Sequence, residues 1–111
     1  MKIDSKDYKN IVNNLHEGIL ILDSNFKITF TNIFFSNLID YPLKKIIGQS
    51  FLDLLDLKDT NLLKSHLKNN IDKNLDLKIL SKKEKIKYVR LSFKEYENER
   101  KALILAIVED I

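Results

Sequence analysis

The two most hydrophobic stretches of this chain lie near its opposite ends, and each is apolar at both parities. Ile19-Leu20-Ile21-Leu22 and Ala102-Leu103-Ile104-Leu105-Ala106-Ile107-Val108 contain no polar position at all, so neither could form a strand with one face in water. Strands covered on both faces belong in the middle of a sheet. The economical arrangement pairs the two runs at the centre, sets amphipathic strands outside them and lays helices over one face.

The rest of the chain supplies those parts. Ile28 and Phe30 alternate with Lys27, Thr29 and Thr31, which predicts a one-sided strand hairpinned to the first across Asp23-Ser24-Asn25. Leu75, Leu77 and Ile79 alternate with charge, and Val89, Leu91 and Phe93 alternate with Tyr88, Arg90 and Ser92, a second hairpin turned by Ser81 to Lys85. Between the hairpins the period changes. Asn32 is predicted to cap a short helix holding Phe34, Phe35 and Leu38. Asp40-Tyr41-Pro42 restarts the chain with Pro at a first helical position, and Gly48 closes that turn. Ser50 and Asp53 form a capping pair for a third short piece ending near Leu55. Asp59 or Thr60 begins a longer helix in which Leu62, Leu63, His66 and Leu67 share a face. Ahead of all this, Tyr8, Ile11, Val12 and Leu15 recur at helical spacing behind Asp4 and Ser5, predicting an amphipathic helix over residues 5–16 that Gly18 ends.

Several function classes are excluded by what the chain lacks. The 111 residues carry 19 basic and 16 acidic side chains, a formal charge of only +3, and the two signs are interleaved. The cations are nearly all Lys, with Arg90 and Arg100 the only guanidinium groups, so no nucleic-acid partner is expected. No Cys is present, which removes disulfides, thiolate nucleophiles and thiolate metal sites. The histidines, His16 and His66, stand in no metal-ligand spacing, and two glycines cannot build a phosphate loop. The carboxylate groups Glu95, Glu97 and Glu99, or Asp53 and Asp56, read as solvated turn residues. No catalytic residue, metal or enzymatic activity is therefore expected. The charged start, Met1 to Asp7, has no signal-peptide core, and no apolar run approaches the roughly 20 residues of a membrane span. A cytoplasmic domain without direct membrane contact is the expectation.

Glu17-Gly18-Ile19 with Asp23, Ile28 leading into Asn32, then Tyr41-Pro42, Ile47-Gly48 and Asp110-Ile111 occur in an order and spacing that resembles PAS domains, such as those of sensor histidine kinases. Each landmark marks a turn: positive φ at Gly18 and Gly48, a helix start at Pro42, a cap at Asn32. One departure is Asp40, where the family commonly has Gly; Asp tolerates left-handed geometry, so the turn is expected to survive.

The resemblance implies an α+β fold: a five-stranded antiparallel sheet of order 2-1-5-4-3, short helices on one face, and an N-terminal helix (1–16) ahead of a core (17–111). It implies a sensory or relay role in signal transduction, through small-ligand binding or dimer rearrangement. A ligand-free dimerisation module and a cofactor-binding sensor are the alternatives. If the strand faces follow the family, Leu20, Leu22, Ile28, Phe30, Leu91, Phe93, Ala106 and Val108 turn toward the helices, joined by Phe35, Phe51, Leu54, Leu63 and Leu67. That set is either a filled core or a pocket for a small apolar ligand, with Thr31, Ser50 and Tyr88 the nearby polar candidates. Neither haem nor flavin is expected as cofactor. Haem-binding members use a His on the long helix, and His66 is displaced toward that helix's end. Flavin-binding members carry a Cys where this chain has Phe51. Homodimerisation through Tyr8, Ile11, Val12 and Leu15, and signal output at Asp110, complete the expectation.

Overall fold

In the computed structural model the two doubly apolar runs are adjacent strands. β1 (Gly18–Leu22) and β5 (Lys101–Asp110) pair antiparallel, with Ile19 opposite Ile107 and Leu20 opposite Ala106. β2 (Ile28–Thr31) flanks β1; β4 (Ile86–Asn98) flanks β5 and carries β3 (Leu75–Leu80) on its far side. The order is therefore β2-β1-β5-β4-β3, as expected. The structure describes residues 16–68, 74–83, 85–98 and 101–111. The N-terminal helix expected over residues 5–16, with Tyr8, Ile11, Val12 and Leu15, lies outside them apart from His16.

Parity decides the two faces. Gly18, Leu20 and Leu22 of β1 are buried while Ile19 and Ile21 are half-buried. On β5 Ile104, Ala106 and Val108 are buried and Leu103, Leu105 and Ile107 half-buried. β3 reads buried-exposed throughout. The buried parity faces the helices: α1 (Ile33–Ile39), α2 (Leu43–Ile46), a single 3-10 turn (Phe51–Leu54) and α3 (Leu57–Lys68). From these come Phe35, Leu38, Ile39, Ile46, Phe51 and Leu63, closing one core with the sheet.

Local chemistry explains the short elements. Asn32 caps α1 by accepting from the Phe35 N–H. Asp40 ends α1 in the left-handed region (φ 62°, ψ 30°), its N–H donating to the Ser36 carbonyl, so Asp serves where a glycine is the usual choice. Ser50 caps the 3-10 turn through the Leu52 N–H. Gly48 sits at φ +90° with nothing near the place of a Cβ, so only backbone conformation demands glycine there.

Five local expectations need correction. Pro42 is the cap before α2 rather than its first residue. The long helix starts at Leu57, because the carboxylate of Asp56 accepts from the Asp59 N–H at 2.8 Å and its carbonyl from the Thr60 N–H at 2.9 Å. Leu62 is 44 % exposed, and Asp59 takes its place on the buried stripe with Leu63 and His66. Gly18 opens β1 without positive φ; a Cβ there would sit 3.1 Å from Val108 Cβ and 3.2 Å from Phe35, so close packing of helix on sheet is what requires glycine. Phe30 faces away from the core. The β1–β2 pairing is irregular between Ile21 and Leu22, so Ile28 opposes Leu22 while Phe30 opposes Ile21. That shift breaks the simple alternation and puts Ile28 and Thr31 on the helix side instead.

Candidate functional site

The expected interior forms part of one continuous buried cluster among the described residues. Leu20, Leu22, Ile28, Phe35, Phe51, Leu63, Leu91, Ala106 and Val108 are at most 1 % exposed, and Leu54, Leu67 and Phe93 are half-buried against them. Withdrawing the Phe35 or Phe51 ring to admit a ligand would forfeit about 2–3 kcal/mol apiece. Phe30 is the one member of the expected set that the register places on the other face. Leu38, Ile39, Ile46, Leu75, Leu77, Ile79, Val89 and Ile104 belong to the same cluster; for the last five, the alternation in β3 and β4 and the both-sided run in β5 carried that signal.

The polar candidates are engaged or elsewhere. The Thr31 hydroxyl donates to the Ile19 carbonyl at 2.9 Å. Ser50 accepts from the Leu52 N–H at 3.2 Å. Tyr88 is 53 % exposed on the outer face, with Lys78 Nζ 5.9 Å from its ring centroid. Asp110 is the exposed last residue of β5, opposite Val89. Beyond it the Ile111 N–H donates to the Tyr88 carbonyl at 3.0 Å, which holds the chain against β4.

Two buried polar residues bind the helical layer to the sheet, and a sequence reading by local caps misses their reach. Asn32 has no exposed surface. Its Oδ1 accepts from the Ile19 N–H at 3.1 Å and the Phe35 N–H at 3.2 Å, and its Nδ2 donates to the Glu17 carbonyl at 2.8 Å. One amide thus fastens the start of α1 to the start of β1. Asp59, also buried, accepts the Lys78 N–H at 3.0 Å, tying α3 to β3. Lys78 lies on the sheet's edge strand, so this carboxylate also occupies an N–H that would otherwise be open to strand addition.

His66 is buried on α3, its ring 5.9 Å from that of Phe93 and tilted by 53°. Its Nε2 has no hydrogen-bond partner among the described residues. On the outer face, Arg90 donates to Asp76 through Nε at 2.9 Å and through Nη2 at 3.3 Å. That hydrogen bond, supported by the guanidinium charge, holds the Asp76 carboxyl below its ordinary range and raises Arg90 in turn. No group of three or more His, Cys, Asp or Glu side chains is placed to hold a metal among the described residues, and no described helix is long and apolar enough to cross a membrane.

Outside the core a surface cleft of about 520 Å³ opens between α2 and the 3-10 turn. Ile28, Ile39 and Ile46 form its apolar floor, and Lys44, Lys45 and Ser50 stand along it. A smaller cleft of about 250 Å³ lies between the 3-10 turn and β3, with Asp53, Leu55 and Ile79 among its walls.

A 2-1-5-4-3 antiparallel sheet with short helices on one face, linked to them by a buried Asn at the head of the first helix, defines a PAS fold. The chain belongs to the PAS fold family, whose model matches residues 6–111. Among solved structures it is similar to a PAS domain from a two-component sensor histidine kinase, with TM-score 0.85 and 15% identity over 96% of this chain and 95% of that one. It is also similar to the PAS domain of an HTR-like protein from Haloarcula marismortui, with TM-score 0.81 and 21% identity over 96% and 91% of the two chains. The PAS domain of nitrogen regulation protein NR(II) from Vibrio parahaemolyticus matches with TM-score 0.72 and 21% identity over 94% and 97%. No curated protein matches the sequence.

Proposed function

We propose that this PAS domain is a sensory or relay module of a signal-transduction protein, part of a sensor histidine kinase, that works as a homodimer. The observation that carries the reading is the outer face of the sheet. Ile19, Ile21 and Phe30, with Leu103, Leu105 and Ile107, form a half-buried apolar surface at the centre of the fold, while the described helices bury their side chains on the other face. The sequence of residues 5–16 has an apolar stripe suited to such a surface: Tyr8, Ile11, Val12 and Leu15 at helical spacing. Pairing of these segments across a two-fold axis would cover both sheets at once. A change in that pairing would then reach β5 and leave at Asp110.

The full burial of Phe35 and Phe51 supports dimer rearrangement over a ligand held inside the core, since a ligand there would have to displace packed rings. Phe51 stands where flavin-binding relatives carry their reactive Cys, and the module is proposed to work without haem or flavin. Any ligand acts by binding two packings with different affinity. The likeness to a histidine-kinase PAS domain supports this assignment of the parent protein.

Light scattering on the purified chain tests the dimer. The wild type should be dimeric, and Ile11→Asp should be monomeric with unchanged far-UV circular dichroism; a monomeric wild type, or an unchanged dimer in the variant, overturns the N-terminal interface. Native mass spectrometry of protein purified from its own host reports stoichiometry and any retained small molecule together.

A further inference from the structure

We propose that the cleft between α2 and the 3-10 turn binds a small amphiphilic carboxylate, with its apolar tail on Ile28, Ile39 and Ile46 and its head against Lys44 and Lys45. The binding claim stands by itself; its meaning as a signal rests on the sensory role proposed above.

Space and surface come first. The cleft's volume of about 520 Å³ falls in the range of small-molecule sites, roughly 300–1,000 Å³. Its floor is part of the packed core: Ile28, Ile39 and Ile46 are 1 %, 1 % and 3 % exposed and belong to the core cluster. Ile47, beside them, is 42 % exposed and adds apolar wall that water now covers. Each methylene fully buried in the cleft is worth up to about fourfold in affinity.

Charge then selects the head group. Lys44 and Lys45 both line the cleft, and the described residues place no carboxylate within ion-pair distance of either; the described ion pairs are Lys83 with Asp40 and Arg90 with Asp76. One acidic side chain, Asp53, also lines the cleft. Two unpaired cations against one carboxylate leave a net positive rim, and an anion with an apolar body fits it better than a neutral or cationic one. Ser50, whose hydroxyl oxygen is committed to the Leu52 N–H, keeps its hydroxyl proton for an acceptor.

The cleft is also joined to the sheet. Gly48 N–H donates to the Ile28 carbonyl and Ile28 N–H to the Gln49 carbonyl, each at 2.8 Å, and Lys27 bridges to Ser50. A ligand here presses directly on β2, which pairs with β1, and β1 with β5.

Octanoate titrated into the ¹⁵N-labelled chain tests the site by NMR. Saturable shifts should centre on the amides of Ile28, Ile46 and Gln49. 1-Octanol should bind more weakly, and octylammonium more weakly still. Lys44→Gln and Lys45→Gln lie at exposed positions, and each should weaken octanoate about two- to fivefold with the spectrum otherwise preserved. Shifts absent or centred elsewhere, octylammonium binding as tightly as octanoate, or unchanged affinity in the double variant would each overturn the proposal. Octanoate binding that leaves oligomeric state and the Asp110 resonance unmoved would sink the sensory reading and keep the site.

Discussion

Replacing Asn32 by Ala should cost this domain a large part of its stability, because one fully buried side chain makes at least three bonds that join the entry to β1 with the start of α1. The cap on the Phe35 N–H is worth about 1 kcal/mol. The bonds to the Ile19 N–H at 3.1 Å and the Glu17 carbonyl at 2.8 Å contribute about 1 kcal/mol each, more where the group left behind is shut off from water. The sum is about 3–4 kcal/mol, against a total of roughly 5–15 kcal/mol for a domain. Urea unfolding followed by circular dichroism measures it, with an unchanged slope showing that the change is in stability alone. Asn32→Asp provides the control. It keeps the acceptor for both N–H groups but sets a carboxylate against the Glu17 carbonyl. The lost donor should therefore leave the variant less stable than the wild type by about 1 kcal/mol or more, although both N–H groups keep their acceptor. If Asn32→Ala costs less than about 1 kcal/mol, or if the Asp variant is as stable as the wild type, the amide is not the fastening described.

Two further outcomes follow from single residues. His66→Leu removes a buried imidazole nitrogen that has no partner among the described residues, so stability should hold or rise by about 1 kcal/mol; a loss of about 2 kcal/mol or more in the same unfolding assay would mean that nitrogen is satisfied. Arg90 holds Asp76 below the ordinary aspartate value, so the pair's small contribution is present above about pH 4 and is lost as pH falls through the folded pKa. In Arg90→Gln the Asp76 carboxyl should titrate at higher pH by ¹³C NMR, and an unmoved titration would show that the guanidinium is not the cause.

The features legible in the sequence are those that a few neighbouring residues decide. Two-sided hydrophobicity marked β1 and β5 as central, since a pleat alternates faces regardless of what covers them. Asn32 as a cap, Asp40 as a left-handed turn and Gly48 at positive φ follow from backbone chemistry within one turn. What each side chain meets across the fold was decided only by register and packing. The Glu17 carbonyl that Asn32 reaches is 15 residues away and the Lys78 N–H held by Asp59 is 19 away, and no local pattern encodes either. A single irregularity between Ile21 and Leu22 turned Phe30 from the core to the outer face, because parity is counted from the partner strand and one slipped residue inverts it. The cleft beside α2 depends on the same long-range placement, as its floor comes from β2, α1 and α2 together. Local chemistry determined the elements and their order; the tertiary structure decided which side chains close over the core and which face the cleft.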